Sequence, residues 1–362
     1  MSVRLVQTWA MLVDAYRELN YKKLFWITLA ISVLVVVAFA AAGINEKGVT
    51  ILHWQFDTPM LNTSVMSREA FYKTYMVQLG VGVWLGWIAA ILALVSTASI
   101  FPDFLTGGAI DLWLSRPISR LRLFATKYVF GLLFVTLQVG AFSLACFIVL
   151  GVRGGAWEPG LFLAVPLVVC FFSYLFSFCV LFGVLTRSTI AALLLTLLVW
   201  FGLFLVNTTE AALMSIGTMQ QMSAERTERR IEAQLKRPEP NEERLKQLRQ
   251  TLEETNTAVT KLEWWHNWAF RAKTLLPKTD ETVELLSRKL VDLADLPKPP
   301  EGDQSLEDSP LGPREPISQR ELQKKLIEQR RGRSVGWVVG TSLLFEGAVV
   351  AIAAFIFCRR DY

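Results

Sequence analysis

Long stretches without a charged residue dominate the pattern of hydrophobic and polar positions along this chain. Five stretches contain no Asp, Glu, Lys or Arg, and a sixth contains only Glu346. The stretches are residues 24–43, 76–101, 128–152, 159–186, 188–209 and 334–358. A helix of roughly 20 apolar residues crosses the hydrocarbon core of a bilayer. The pattern therefore predicts an all-α membrane protein with six transmembrane helices.

The composition excludes an ordinary soluble domain, because 52% of the 362 residues are apolar and only 19% are charged, against about 25% charged in soluble domains. Lys22 and Lys23 precede a first stretch that ends in small residues, as a secretory signal does. That stretch is longer than the roughly 7 to 15 apolar residues of a signal peptide. We expect a retained first span.

Residues 1–22 repeat apolar side chains at helical spacing, with the charged residues elsewhere on the helical wheel. Such a helix lies in the plane of the membrane interface, although a plain extension of the first span is an alternative. We therefore expect a cytoplasmic interfacial helix at 1–22 and spans one to five within 23–209.

A long polar segment, residues 210–333, separates the last two spans, and we expect it to be an extended helical insertion on the extracytoplasmic side. Apolar residues at heptad spacing within it predict a helical hairpin, either a solvated antiparallel pair or a short coiled coil. These residues are Leu245, Leu248, Leu252, Val259 and Leu262.

The rest of the insertion has two further parts. The Trp-rich residues 264–270 suit the headgroup region of the outer leaflet, as an interfacial or partly re-entrant helix, or they pack against the hairpin. Proline-rich residues 296–316 predict a flexible loop. A helix at 318–331 would then lead to residues 334–362, the sixth span and a cytoplasmic tail.

Lys and Arg near the span ends predict the orientation. With the N-terminus in the cytoplasm, eleven such residues lie inside and only four lie in the short outer loops. Six crossings then place both termini in the cytoplasm. We expect a multi-pass protein of a bacterial inner membrane, with the lipid bilayer as its surroundings and no nucleic acid as a partner.

The segment between the second and third spans, residues 102–122, differs from an ordinary loop. Gly107 and Gly108 permit a tight turn, residues 109–115 can form a short helix, and Pro117 ends it. Apolar side chains of such a helix could enter a groove on a partner, while Arg116 and Arg120 supply charge for pairing.

Here the sequence resembles the type-2 exporter class of ATP-binding-cassette permeases, which includes drug exporters and components linked to maturation of multi-copper enzymes. The stretch 103–120 carries an acidic residue, a diglycine and the order Ser-Arg-Pro-Ile-Ser-Arg, and the ending 357–362 reads Phe-Cys-Arg-Arg-Asp-Tyr. Both patterns are similar to that class. The length of the 210–333 insertion departs from it.

The resemblance implies that the segment holds a coupling helix that docks on a cytoplasmic ATPase. The residues to which it assigns this role are Asp103, Phe104, Gly107, Gly108, Asp111, Trp113, Leu114, Ser115, Arg116, Pro117, Ser119 and Arg120. It also implies a second permease subunit, as a homodimer or heterodimer.

No phosphate-binding loop of the form Gly-x-x-x-x-Gly-Lys-Ser/Thr occurs in the sequence. We therefore expect this chain not to be an enzyme and to hold no cofactor or metal. ATP and magnesium would be bound by the partner ATPase. The four cysteines and two histidines form no metal-ligand pattern.

Polar residues inside the predicted spans are candidates for a transport pathway, because each is costly in hydrocarbon unless it finds a partner. Glu346 lies near the middle of the sixth span, and Gln138 and Gln78 lie in the third and second. Glu346 is either a pathway residue or a neutral carboxyl bonded to a neighbouring helix. For the two glutamines, bonding between helices is the plainer interpretation.

Three functions remain open from the sequence. The first is the permease subunit of an ATP-driven exporter. The second is a mechanotransmitting or scaffolding protein that acts on an envelope partner through the insertion. The third, a secondary transporter driven by protons at Glu346, calls for inverted repeats, which the sequence does not display.

Overall fold

The computed structural model describes residues 23–57, 62–63, 67–106, 119–236, 240–290 and 334–360, with isolated positions at 13, 17, 322, 325, 326, 328, 329 and 332. Four predicted features lie wholly or mostly outside these residues. They are the interfacial helix at 1–22, the central coupling stretch at 107–118, the proline-rich loop at 296–316 and the helix at 318–331.

The described residues are mainly helical. The first helix, α1, is Lys23–Ala41. The next rod begins with α2, Arg68–Tyr75, continues through a π-helical stretch, Met76–Ile88, and ends in α3, Ala89–Thr97. A short helix, α4, is Ile100–Thr106, and α5 is Arg120–Val149 with a π-helical turn, Leu150–Gly154.

The second half of the chain begins with a 3₁₀ turn, Pro159–Leu163, which leads into α6, Ala164–Thr186. Helix α7 is Thr189–Leu235, α8 is Glu242–Leu275, α9 is Thr279–Leu290 and α10 is Val335–Arg359. Among the described residues, five helices are long and apolar enough to cross a membrane, and α1 contains a shorter apolar helix, Phe25–Ala41. The predicted all-α membrane protein agrees with this; the count of six spans stays a prediction.

A small antiparallel sheet follows α1, where the sequence had suggested only a loop. Its strands are β1, Ala42–Asn45, β2, Gly48–Ile51, and β3, Trp54–Asp57, in the order β1-β2-β3. The Asn45 side chain accepts hydrogen bonds from the backbone N–H groups of Lys47 and Gly48. This is the local bonding by which Asn favours turns. The strands are only four residues long, too short for a clear alternating pattern.

Contacts divide the chain into two compact units. Unit 1 comprises Met1–Trp200, Pro277–Asp303 and Ser342–Tyr362, and unit 2 comprises Phe201–Leu276 and Gln304–Thr341. The core of unit 1 is rich in phenylalanine, which supplies large apolar surface and ring contacts. Its fully buried aromatic side chains are Tyr174, Phe101, Phe124, Phe134, Phe171, Phe172, Phe176 and Phe357.

Helix α9 packs inside unit 1, against α6, the π-helical stretch and the 3₁₀ turn. Polar side chains at its N-terminal end are buried: Lys278, just before the helix, and Thr279 and Thr282 within it have no exposed surface. The backbone N–H of Lys278 donates to Ser342 Oγ at 2.9 Å. The sequence pattern did not distinguish this helix from the rest of the insertion, because five of its twelve residues are charged.

In unit 2, α7 and α8 run antiparallel over part of their length. Gln221 Nε2 donates to Glu263 Oε1 at 3.2 Å, and Lys273 Nζ donates to Glu210 Oε2 at 2.9 Å. The predicted end of span five at 209 is not a helix end, because α7 continues unbroken to Leu235. Likewise the Trp-rich residues 264–270 belong to α8 itself.

Candidate functional site

The two segments that carry the family resemblance meet in the structure. Arg120, at the start of α5, donates from Nη1 to the carbonyl oxygens of Cys358 at 3.2 Å and Arg360 at 2.9 Å. These carbonyls lie at the end of α10, where backbone acceptors have no partner within the helix. The Arg120 guanidinium therefore joins the end of the coupling segment to the Arg-Arg tail.

The tail is bound on its other side as well. Arg360 donates from Nη1 to the carbonyl oxygens of Val184 at 2.7 Å and Leu185 at 3.1 Å, near the end of α6. A cation near a helix C-terminus also interacts favourably with the helix dipole. Arg120 and Arg360 thus link the start of α5 with the ends of α6 and α10.

An aromatic cluster supports this junction from within the bundle. The ring of Phe357 lies 6.3 Å from that of Phe104, 6.5 Å from Phe101 and 5.6 Å from Phe124, between centroids. All four side chains are buried, and Lys127 Nζ lies 5.5 Å from the Phe104 ring centroid. Phe104, predicted as a coupling residue, is therefore part of the core under the junction.

The other predicted coupling residues divide into two groups. Asp103 is exposed, and Ser119 caps α5 by accepting from the backbone N–H of Arg122 at 3.4 Å. The remaining residues lie outside the described part of the chain: Gly107, Gly108, Asp111, Trp113, Leu114, Ser115, Arg116 and Pro117. Their docking role stays a prediction.

The structure does not bring the three candidate pathway residues together. Glu346 is 8% exposed and bonds to Tyr128 of α5 and Ser173 of α6. Gln138 is buried, and neither polar atom of its amide has a hydrogen-bond partner among the described residues. Gln78 is exposed on the π-helical stretch, so it is not part of a buried path.

Gln138 lines a cavity between α1, α3, α5 and α6 whose other walls are almost entirely apolar. The cavity has a volume of about 10 Å³, which is roughly the space of one water molecule. It is too small for a transported substrate in this conformation.

Sequence reasoning missed the partners of the candidate residues. Tyr128 and Ser173 were not singled out, and Arg360 was noted only as part of the tail pattern, although each makes a decisive contact. Ser and Tyr within an apolar stretch are common and usually bond to their own helix, so sequence position alone does not identify those that reach another helix.

A comparison with protein families identifies the family of this chain. A family model described as "ABC-2 family transporter protein" matches residues 17–260. The chain belongs to this family. The match covers α1 to α6, all of α7 and most of α8, including the coupling segment. No curated protein and no solved structure matches the sequence.

Membership confirms the resemblance to ABC-2 type permeases, and the matched residues include 103–120 but not the tail at 357–362. The chain is a permease component of an ABC transporter and a multi-pass membrane protein. The family match ends at residue 260, so the end of α8, α9 and α10 lie beyond it. Both Glu346 and the tail that Arg120 holds are in this last part of the permease.

Proposed function

We propose that this permease is the transmembrane subunit of an exporter, that it pairs with a second permease subunit, and that a separate ATPase on the cytoplasmic side drives it. The observation that carries the proposal is the junction at Arg120. A helix that receives force from an ATPase must be attached to the spans that move. Arg120 and the Phe104 cluster attach the ends of the coupling segment to α5, α6 and α10.

Under this proposal the two arginines of the segment have different roles. Arg120 is bonded to helix-end carbonyls, so it would transmit force within the permease. Arg116, together with Trp113 and Leu114, is the candidate for direct contact with the ATPase.

Copurification from the native host in mild detergent tests this proposal. Wild-type permease is expected to recover a nucleotide-hydrolysing subunit, and Arg116→Glu to lose most of it. Arg249→Glu, an exposed arginine of α8, is the matched charge-reversal control and should retain it. Recovery of no ATPase with the wild type, or full recovery with R116E, would overturn the proposal.

A second function is favoured by one observation, the unbroken length of α7. At about 1.5 Å per residue, its 47 residues make a rod of roughly 70 Å that contains both the predicted fifth span and half of the hairpin. Such a rod could carry movement of the span to an envelope partner. Nothing would then need to cross the membrane.

Removing the far end of the hairpin separates the two functions. Deleting residues 226–258 retains the Gln221–Glu263 contact and the buried Glu210–Lys273 pair. Under the exporter function, ATP-driven export should partly survive. Under the mechanotransmitting function, every cellular activity of the complex should vanish, while ATPase binding stays normal.

A further inference from the structure

Three helices of unit 1 converge on the carboxyl group of Glu346. Tyr128 Oη of α5 lies 2.7 Å from Glu346 Oε1, and Ser173 Oγ of α6 lies 2.7 Å from Glu346 Oε2. Ser173 Oγ also lies 2.8 Å from the carbonyl oxygen of Cys170 in its own helix. These are three short contacts between oxygen atoms, and each requires one proton to be attractive. A longer contact, 3.4 Å, joins Tyr128 Oη to the carbonyl oxygen of Ser173.

The number of available protons depends on the state of the acid. Tyr128 and Ser173 supply one hydroxyl proton each. If Glu346 is ionised, two protons serve three contacts, and one pair of oxygens faces each other without a proton. If Glu346 is a neutral acid, its own O–H donates to Ser173 Oγ, Ser173 donates to the Cys170 carbonyl and Tyr128 donates to Glu346 Oε1. Each of the three short contacts then has its proton.

A buried cation on a neighbouring element is Lys278, whose backbone N–H donates to Ser342 Oγ, one helical turn before Glu346 on α10. Among the described residues, Glu346 makes no ion pair, and the titratable groups that interact with it are Tyr128 from α5 and Cys170 and Tyr174 from α6. All three are neutral at ordinary pH. A buried carboxylate without a cation is costly, and a neutral acid avoids that cost.

We propose that Glu346 is a proton-binding site of the permease, occupied when α10 lies against α5 and α6. The proton is held between Glu346 Oε2 and Ser173 Oγ. The neutral acid is the bond that fastens the sixth predicted span to the third and fourth. Glu346 thus forms hydrogen bonds between helices and also binds and releases a proton.

The same geometry links proton release to helix movement. If α10 moves away from α6 far enough to admit water, the acid loses its Ser173 acceptor. A water-exposed glutamic acid gives its proton to water at neutral pH. The packed state therefore binds one more proton than the separated state, so high pH favours separation and low pH favours packing. This step rests on the proposed function, because it places the movement in the transport cycle.

Infrared spectroscopy on the purified permease, without any ATPase, tests the protonation directly. The difference between wild type and Glu346→Gln at neutral pH should contain the C=O stretch of a protonated carboxylic acid that exchanges with D₂O. The Tyr128→Phe variant should shift that band, because it removes the donor to Oε1. A difference that contains only carboxylate bands would overturn the proposal.

Thermal unfolding in detergent across a pH series provides the second measurement. The Gln amide can donate to Ser173 and accept from Tyr128, so E346Q should melt within a few degrees of wild type at neutral pH. The wild type should lose stability as pH rises above the ordinary pKa of glutamic acid, about 4.3, because the unfolded chain then releases this proton while the packed state retains it. E346Q should lose less. Equal pH dependence of the two proteins, or E346Q melting as low as Glu346→Ala, would contradict the site.

These results are independent of the exporter proposal. The acid band and the pH series require only the folded permease. Failure to recover an ATPase would overturn the proposed function and leave the proton site intact. A missing acid band would overturn the site and leave the ATPase partner intact.

Discussion

Two buried glutamates, one in each unit, are accommodated in opposite ways. Glu346 of unit 1 is bonded by two hydroxyl groups, at 2.7 Å each. Glu210 of unit 2 is 2% exposed and lies 2.9 Å from Lys273 Nζ and 3.3 Å from His266 Nε2. The Lys273 side chain is itself only 6% exposed. One acid has hydroxyl partners without a cation, and the other has a buried cation.

The difference shows how the same residue type performs two tasks. An ion pair holds two elements together only while both charges are present and close, which suits the fixed contact between α7 and α8. A carboxyl with hydroxyl partners can be neutral or charged, so its contact can be made and released. Substitutions at the two sites should therefore have unequal costs.

The largest effect is expected for Lys273→Met. It leaves Glu210 buried without its ammonium partner, and breaking a buried pair from one side costs about 3 to 5 kcal/mol. Unit 2 should unfold at lower denaturant concentration, which limited proteolysis of residues 210–276 during a urea series would report.

Two controls sharpen this test. Lys261→Met removes an exposed lysine from the same helix and should change stability by less than about 0.5 kcal/mol. The double variant Glu210→Gln with Lys273→Met removes both charges and should recover most of the loss. If K273M matches K261M, the buried pair is not a stabilising contact.

A smaller loss is expected for Glu346→Ala. It deprives Tyr128 and Ser173 of their partner and leaves a small cavity, and an unsatisfied buried hydroxyl costs about 1 to 3 kcal/mol. Differential scanning fluorimetry in detergent would measure the loss against Glu346→Gln. A cost for E346A equal to that of K273M would show that Glu346 is charged and paired after all.

The third prediction removes one hydroxyl from the Glu346 site. Tyr128→Phe retains the ring stacked on Phe176 at 5.3 Å and loses the short bond to Glu346 Oε1 and the longer one, 3.4 Å, to the carbonyl oxygen of Ser173. Hydrogen bonds between membrane helices average about 0.6 kcal/mol, with a maximum near 1.7. The melting temperature should fall slightly. The additional effect of Y128F should disappear in the E346A background if the two residues act only through each other.

The smallest effect is expected for an ion pair of similar length at the surface. Lys325 Nζ lies 3.0 Å from Glu225 Oε2, but the two side chains are 40% and 52% exposed. Exposed pairs contribute about 0.2 to 1 kcal/mol. Lys325→Gln should therefore lower the free energy of unfolding several-fold less than K273M does. Comparable losses for the two variants would mean that burial does not decide the strength of these pairs.

Much of the fold could be predicted because the bilayer imposes strong rules. Charge-free stretches at 128–152, 159–186 and 334–358 correspond to α5, α6 and α10, with ends that differ by up to eight residues, since long apolar runs have few alternatives in hydrocarbon. The β1–β3 sheet was missed because four-residue strands carry little pattern. The continuation of α7 past 209 was missed because Glu210 looked like the end of a span, whereas Lys273 neutralises it.

The residues of the candidate site could be identified from the sequence, but the contacts between them could not. Residues 103–120 and 357–362 both carried the resemblance, but nothing in the sequence placed Arg120 on the Arg360 carbonyl. Glu346 was identifiable as an acid in an apolar stretch, but the sequence did not indicate that Gln78 is exposed or that Gln138 lines a small apolar cavity. An amide in a span is recognisable by composition, but its depth and its neighbours depend on how each helix is rotated.

The sequence by itself determined the membrane class, the ABC-2 family and the approximate position of most helices, because hydropathy and local motifs are properties of neighbouring residues. Only the tertiary structure decided that Arg120 binds the end of α10, that α9 returns to pack in unit 1, and that Glu346 faces two hydroxyls while Glu210 faces a lysine. These contacts join residues more than 50 positions apart. Their geometry depends on helix packing, which local sequence patterns do not specify.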